Sequence, residues 1–217
     1  MKKCIIFDVD RTIVDSYIPE LLSLQEAIEN VTNRKITETT IKKLTSLPTS
    51  EFFDFLNLSD EEIKIINIEW EKTFNKYKTI CFPKIKEIIN ELYKKGYVIG
   101  IITSRTSDEF YELNNELADI LSCFKVIITS DLIKNPKPHK DSVDYLCNKL
   151  QLIPEELIYI GDSEIDKIFS QNCNIDFIPA CWENKELENE EKACVTPEEI
   201  IKRIKEFNIP NINHLKK

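Results

Sequence analysis

Asp8, Asp10 and Thr12 stand two apart directly after a short apolar run, Cys4-Ile5-Ile6-Phe7. Thr103 and Ser104 follow a second apolar run. Lys137 lies between two prolines, and Asp162 and Asp166 follow another apolar run in Gly161-Asp162-Ser163-Glu164-Ile165-Asp166. Residues i and i+2 of a strand point to the same side, so Asp8 and Asp10 start out facing one site. Two carboxylates about 4 Å apart repel by roughly 4 kcal/mol at an effective dielectric near 20. Such a pair calls for a cation. A hydroxyl and an ammonium complete a set in which a hard-metal site adjoins an anion site, and all-oxygen ligands beside a phosphate suit Mg2+.

The elements that must position these groups are legible from apolar patterning. Cys4–Phe7, Val98-Ile99-Gly100-Ile101-Ile102, Val126-Ile127-Ile128 and Leu157-Ile158-Tyr159-Ile160 read as buried strands, with Ile175-Asp176-Phe177-Ile178 as a fifth. Helical spacing separates them. Ile85, Ile88, Ile89 and Leu92 form one stripe, stopped by Gly96. Thr106–Glu109 caps a second helix, Val143, Leu146, Cys147 and Leu150 mark a third, and a fourth starts near Ser163. Thr196-Pro197-Glu198-Glu199 reads as a capping box opening a last helix through Phe207, and the tail from Asn208 is expected to fray. Apolar strands alternating with helices predict an α/β fold, a Rossmann-like parallel sheet of about five strands covered on both faces. Ligands of such sheets bind beyond the carboxyl ends of the strands, where all the polar groups above fall.

Between the first strand and the rest lies a stretch with no strand signal, about Tyr17 to Ile80. Leu21, Leu24, Ile28 and Val31 recur at helical spacing, and a weaker helix is expected over about 37–45. Leu47-Pro48-Thr49-Ser50 breaks the pattern. Ser59-Asp60-Glu61-Glu62 is a capping box ahead of the stripe Ile63, Ile66, Trp70, Phe74 and Tyr77. The expected division is residues 1–14 and 83–217 as the α/β core and 15–82 as a helical cap inserted into it.

The 217 residues carry 42% apolar side chains and a net charge of -9, enough for a real core and unfavourable for nucleic acid or an anionic membrane. An anionic substrate would have to be held by local cations against that overall field. Only three glycines occur, which excludes Gly-rich phosphate loops. Seven cysteines without a C-x-x-C pair read as buried free thiols of a reducing, cytoplasmic protein. Asp8 cuts the first apolar run far short of a signal peptide, and no apolar stretch is long enough to span a membrane. The acidic run Glu183 to Glu191 reads as a solvated loop or helix.

Asp8-Val9-Asp10-Arg11-Thr12, Thr103, Lys137 and Gly161-Asp162-x-x-x-Asp166 together resemble the four ordered motifs of the haloacid dehalogenase-like phosphatases, over about residues 4 to 180. The branch most resembled is that of phosphoglycolate phosphatase and β-phosphoglucomutase, with a helical cap after the first motif and Asp15-Ser16 as the hinge into it. The resemblance implies the strand order 5-4-1-2-3. It implies that Asp8 attacks phosphorus to give an aspartyl-phosphate and that Asp10 serves as acid and then base. Mg2+ would be held by the Asp8 carboxylate, the Asp10 backbone carbonyl and Asp162, with Asp166 in its shell. Thr103 and the Ser104 amide would hold phosphoryl oxygens, and Lys137 would neutralise charge.

The implied activity is Mg2+-dependent hydrolysis of a small phosphorylated metabolite by a monomer or weak dimer. Alternatives are a phosphomutase that passes the phosphoryl group to a sugar phosphate, and a non-catalytic phosphoryl-binding relative, which the presence of every carboxylate disfavours. A signalling receiver domain uses similar groups, but its phosphorylated Asp follows the third strand and it has no inserted cap. Arg11 departs from the family, in which Gly is usual, as do Pro136 and Gln171-Asn172-Cys173-Asn174. Asn174 can still take a left-handed turn. Arg105 and His139 adjoin the motifs in sequence only, and a surface position suits each at least as well. Leu47 to Glu51 and the edge near Ser16-Tyr17 are the expected specificity contacts.

Overall fold

A computed structural model describes residues 1–37, 39–41, 53, 55–74 and 76–207. The expected helix over 37–45 falls largely outside the described residues, and the loop Leu47 to Glu51 and the tail from Asn208 lie wholly outside them. The chain divides into two compact units, Met1–Asp15 with Ile80–Lys217, and Ser16–Thr79.

The larger unit is built on a five-stranded parallel sheet. Its strands are β1 (Cys4–Phe7), β4 (Val98–Ile102), β5 (Phe124–Ile128), β6 (Leu157–Gly161) and β7 (Asp176–Pro179). Two short strands, β2 (Val14–Asp15) and β3 (Ile80–Cys81), pair antiparallel as a separate ribbon where the chain leaves and re-enters this unit. The sheet order is β5-β4-β1-β6-β7. Numbered among the five sheet strands alone, it reads 5-4-1-2-3 from the β7 edge. The first strand is central, with β4 and β6 on its flanks in register from Cys4 to Phe7.

Side-chain alternation puts Ile5 and Phe7 on one face with Ile99, Ile101, Ile158, Ile160 and Ile178. Cys4 and Ile6 lie on the other face with Ile102, Val126, Leu157 and Tyr159. Helices α3 (Ile85–Lys94) and α8 (Glu199–Phe207) cover the first face through Ile85, Ile88, Ile89, Leu92, Ile200 and Ile204. Helices α6 (Asp141–Leu150) and α7 (Glu164–Cys173) cover the second through Val143, Leu146, Phe169 and Cys173. Two short helices, α4 (Ser107–Tyr111) and α5 (Asn114–Leu117), follow β4. Thr106 and Glu109 cap α4 reciprocally, as their spacing predicts. Helix α8 differs from expectation. It starts at Glu199 rather than just after Thr196, because the Glu199 carboxylate accepts from the Val195 amide and the turn at Thr196 stays non-helical.

The smaller unit packs α1 (Tyr17–Thr32) on α2 (Asp60–Phe74). Leu21, Leu24, Ala27, Ile28 and Ile66 form its core. The Ser59–Glu62 capping box is present, and the Trp70 indole donates to Ser23 Oγ at 2.9 Å. Ile80 belongs to β3 of the larger unit, so the stretch read as purely helical ends in a strand too short for any periodicity to show. All seven cysteines are free thiols, Cys81 and Cys147 half-buried and the rest buried. Among the described residues no helix is long and apolar enough to cross a membrane.

Candidate active site

Beyond the carboxyl ends of β1 and β6 three buried carboxylates converge. Asp8 continues β1 by one residue, its amide donating to the Ile160 carbonyl at 2.8 Å. Asp162 follows β6 directly, and Asp166 lies in the first turn of α7. One oxygen from each of the three lies within 4.8 Å of the others. This is the side of the sheet and the point in the strand order at which open α/β folds bind ligands.

The Lys137 ammonium sits among them with its side chain 4% exposed. It donates to Asp8 Oδ1 at 2.8 Å, Asp166 Oδ1 at 2.8 Å and the Tyr159 hydroxyl at 2.9 Å. Tyr159 in turn donates to the Ile102 carbonyl or to Asp166 Oδ1. Asp166 Oδ2 accepts from the Ser163 hydroxyl at 2.7 Å and the Ser163 amide at 3.2 Å, the far half of the capping box that starts α7. Asp166 is therefore at once a helix N-terminal carboxylate and a member of the charged cluster.

Charge bookkeeping gives the cluster its character. Three carboxylates face the Lys137 ammonium, and the Arg11 guanidinium, itself paired with Glu183, stands 3.8 Å from Asp162, so acidic groups outnumber cations in a buried site. Burial, reinforced by the neighbouring carboxylates and opposed by Lys137, drives the Asp8 carboxyl well above the usual range. Burial and the Asp166 charge push Asp162 up to about 7. Burial also acts against the Asp166 anion, but the charge and hydrogen bond of Lys137, with Ser163, outweigh it and hold Asp166 low. Burial acts against the Lys137 cation too, and Asp8 and Asp166 overcome it and hold its pKa up. Lys137 is shared between Asp8 and Asp166, at 2.8 Å from an oxygen of each, and does not reach hydrogen-bond contact with Asp162. A divalent cation fits this deficit in sign, in size and in its all-oxygen donor set.

Asp10 is placed differently. Both its oxygens are held by the Arg105 fork, Nε to Oδ2 at 2.8 Å and Nη2 to Oδ1 at 2.6 Å. Its carboxylate stands outside the three-carboxylate cluster. The expectation for Asp10 as a metal ligand concerned its backbone carbonyl, on which this pair has no bearing. Arg105 is buried, not a surface residue. His139 is exposed. Thr103 is buried, and its hydroxyl oxygen accepts from the Arg105 amide at 3.2 Å, which leaves the O–H to donate elsewhere. Ser104 is exposed beside it. The Thr12 hydroxyl is buried without a hydrogen-bond partner among the described residues.

Arg11 adopts a left-handed conformation with φ 57°. That region is open to non-glycine residues at a cost of about 1–2 kcal/mol. Its Nε donates to Glu183 at 2.9 Å and lies 3.8 Å from Asp162 Oδ2. Asn184, next along, donates to the Asp162 carbonyl at 3.2 Å and to its carboxylate at 3.4 Å. The start of the acidic run is therefore only partly solvated: Glu183 pairs with Arg11, Asn184 donates to Asp162, and Leu187 is buried. Arg105, Tyr159, Glu183 and Asn184 were not assigned roles from sequence. A signal existed for two of them. Arg105 directly follows the Thr103-Ser104 strand end, and Tyr159 carries a lone polar atom in an otherwise aliphatic strand.

Comparison with known proteins shows which family the chain resembles in sequence and fold. The family model of haloacid dehalogenase-like hydrolases matches residues 5–180. Pyrophosphatase PpaX of Oceanobacillus iheyensis is 24% identical over 186 residues, covering 85% of this chain and 86% of that protein. Phosphoglycolate phosphatase of Salmonella typhimurium is 25% identical over 111 residues, and the chain spans 44% of that relative's length. A solved haloacid dehalogenase-like hydrolase from Streptococcus pneumoniae superposes with a TM-score of 0.76 at 25% identity, covering 94% of this chain and 98% of that one. The chain belongs to the haloacid dehalogenase-like hydrolase family.

Proposed function

We propose that the protein is a Mg2+-dependent phosphatase that hydrolyses a small phosphorylated metabolite through an aspartyl-phosphate on Asp8. The observation that carries this reading is the Asp8 carboxylate at the end of the central strand, held at one oxygen by Lys137 and within reach of Asp162 and Asp166. One oxygen is thereby oriented and the other left to attack. Asp8 and Asp162 would hold the cation, with Asp166 acting chiefly through Lys137 and Ser163. When bound, the cation supplies charge neutralisation for the carboxylates and for the phosphoryl oxygens.

In the first step Asp8 forms a bond to phosphorus as the bond to the leaving oxygen breaks, and Asp10 gives that oxygen a proton. In the second, water attacks the same phosphorus while Asp10 takes a proton, and Asp8 is freed. The Thr103 hydroxyl donates to a phosphoryl oxygen, helped by the Ser104 amide. The smaller helical unit, Ser16–Thr79, serves as the cap that reads the leaving group. The names of the relatives, a pyrophosphatase and a phosphoglycolate phosphatase, support small, highly charged substrates.

The test is phosphate release from a panel of esters and anhydrides, with Mg2+ and with chelator. Wild type should turn over at least one of them in Mg2+ and stop when the metal is removed. Equal turnover by wild type and Asp8→Asn would remove the reading.

A further inference from the structure

The Lys137 ammonium has three protons, and three acceptors take them: Asp8 Oδ1 at 2.8 Å, Asp166 Oδ1 at 2.8 Å and the Tyr159 hydroxyl at 2.9 Å. Two of these acceptors are carboxylates of the charged cluster. The third is neutral, and the reaction proposed above gives it no part. Tyr159 is the middle residue of β6, paired with Ile6 of β1 and Phe177 of β7. Residues i and i+2 of a strand share a face, so Tyr159 stands one pleat behind Gly161, on the face that Ile6 and Asp8 share. Its hydroxyl is the one polar side-chain atom of β6.

The Tyr159 ring is fully buried, edge-on to Phe169 with centroids 5.1 Å apart and stacked on Phe177 at 6.4 Å. Aromatic packing, rather than the charges around it, therefore sets where the hydroxyl lies. Burial, reinforced by the Asp166 and Asp8 charges, drives its pKa well above the usual range, so the group stays a neutral hydroxyl. Its own proton goes to the Ile102 carbonyl at 3.1 Å or to Asp166 Oδ1 at 3.0 Å. Ile102 directly precedes Thr103. One oxygen thus joins the segments that carry Thr103, Lys137 and Asp166. A lysine ammonium is a point charge on a flexible stem with three rotatable donors, and a third, rigidly held acceptor defines its orientation.

We propose that Tyr159 is a positioning residue whose hydroxyl fixes the direction of the Lys137 ammonium, so that one N–H stays on Asp8 Oδ1 and the other Asp8 oxygen is presented to phosphorus. A neutral acceptor suits this place. A further carboxylate would add negative charge where acidic groups already outnumber cations, and an aliphatic residue would fill the space but take away one of the three acceptors. When the Asp8 carboxylate becomes an acyl phosphate its hold on Lys137 weakens, and Tyr159 and Asp166 keep the ammonium in place for the second step. This inference rests on the phosphatase reading above, with Asp8 as the nucleophile.

The test is Tyr159→Phe, which keeps the ring against Phe169 and Phe177 and removes only the hydroxyl. In Mg2+, on the best ester of the panel, it should lower kcat by about 10- to 100-fold, the range of a hydrogen bond to a charged group, with KM within about twofold of wild type. A second readout needs neither metal nor turnover: 15N NMR of the lysine-labelled, metal-free protein. In wild type the Lys137 ammonium should give a resolved signal in slow exchange with water, and in Tyr159→Phe that signal should broaden or vanish. Phe169→Leu, which loosens the same packing and keeps the hydroxyl, should lower Tm yet leave kcat and the signal as they are. An unchanged kcat or an unchanged Lys137 signal in Tyr159→Phe, or an equal loss of kcat in Phe169→Leu, would overturn the proposal. So would a wild-type Lys137 ammonium that exchanges too fast to be seen, a result that needs no variant. If wild type turns over no ester yet the Lys137 signal depends on Tyr159, the phosphatase reading fails and the positioning contact stands. If turnover depends on Asp8 while Tyr159→Phe matches wild type, the positioning role fails and the phosphatase reading stands.

Discussion

Gly161 and Asp166 touch in a way that only a glycine permits: a Cβ at position 161 would lie 2.6 Å from the Asp166 carboxylate. The last residue of β6 is bare so that the carboxylate holding Lys137 can pack over it. Gly161→Ala should push Asp166 away from Lys137, Tyr159 and Ser163. We expect a loss of about 1–3 kcal/mol in a denaturant melt, the usual cost of overpacking, together with lower phosphate release. A fully stable, fully active Gly161→Ala protein would show that Asp166 need not sit where it does.

Removing Lys137 leaves Asp8 and Asp166 facing each other in a buried site. Lys137→Met should lower stability at neutral pH by roughly 3–5 kcal/mol, the cost of breaking a buried pair. It should reduce turnover on the order of 10²- to 10³-fold, as for loss of a positioned charge. Added Mg2+ should restore part of the stability, measured as a shift in Tm, but little of the rate.

The pH dependence of stability follows from the raised carboxyls. Asp8 and Asp162 bind protons more tightly folded than unfolded, so between about pH 4 and pH 7 the folded state holds more protons. Stability of the metal-free protein should therefore fall as pH rises through that window. Asp166 is depressed and Lys137 raised, so their contributions change below and above it, respectively. Urea melts in chelator at pH 5, 6 and 7 should show the decline, and Mg2+ should flatten or reverse it.

Arg11 separates backbone strain from pairing. Arg11→Gly relieves the left-handed cost and loses the Glu183 pair, which is partly exposed and worth about 1 kcal/mol or less. Arg11→Ala loses the pair and keeps the strain, so it should be the less stable of the two by about 1 kcal/mol. Both remove a cation 3.8 Å from Asp162, and both should bind Mg2+ more tightly in a thermal-shift titration. Unchanged Mg2+ affinity would mean that Glu183 already cancels the Arg11 charge.

Much of this site could be read before any coordinates. Asp8, Thr103 and Asp162 each follow a run without charged residues, rich in apolar side chains, and a buried parallel strand delivers its next residue to one edge of the sheet. Lys137 was legible through its two prolines and its place in the motif order. Arg105 was not, because its burial depends on α4 and on the turn after β5 closing around it. Glu183 and Asn184 were hidden in an acidic run whose composition suits solvent equally well; the bridge between Ala180 and Cys194 helps turn that segment back onto the sheet. The β2–β3 ribbon is two residues long on each side and carries no pattern to detect.

The central claim is that Asp8 carries the phosphoryl group. The direct measurement is rapid acid quenching of wild type with a 32P-labelled substrate and Mg2+, followed by peptide mapping. The account predicts hydroxylamine-labile label on the peptide containing Asp8, formed in the first turnover and absent from Asp8→Asn. Phosphate release without label on that peptide, or label on another residue, would contradict it.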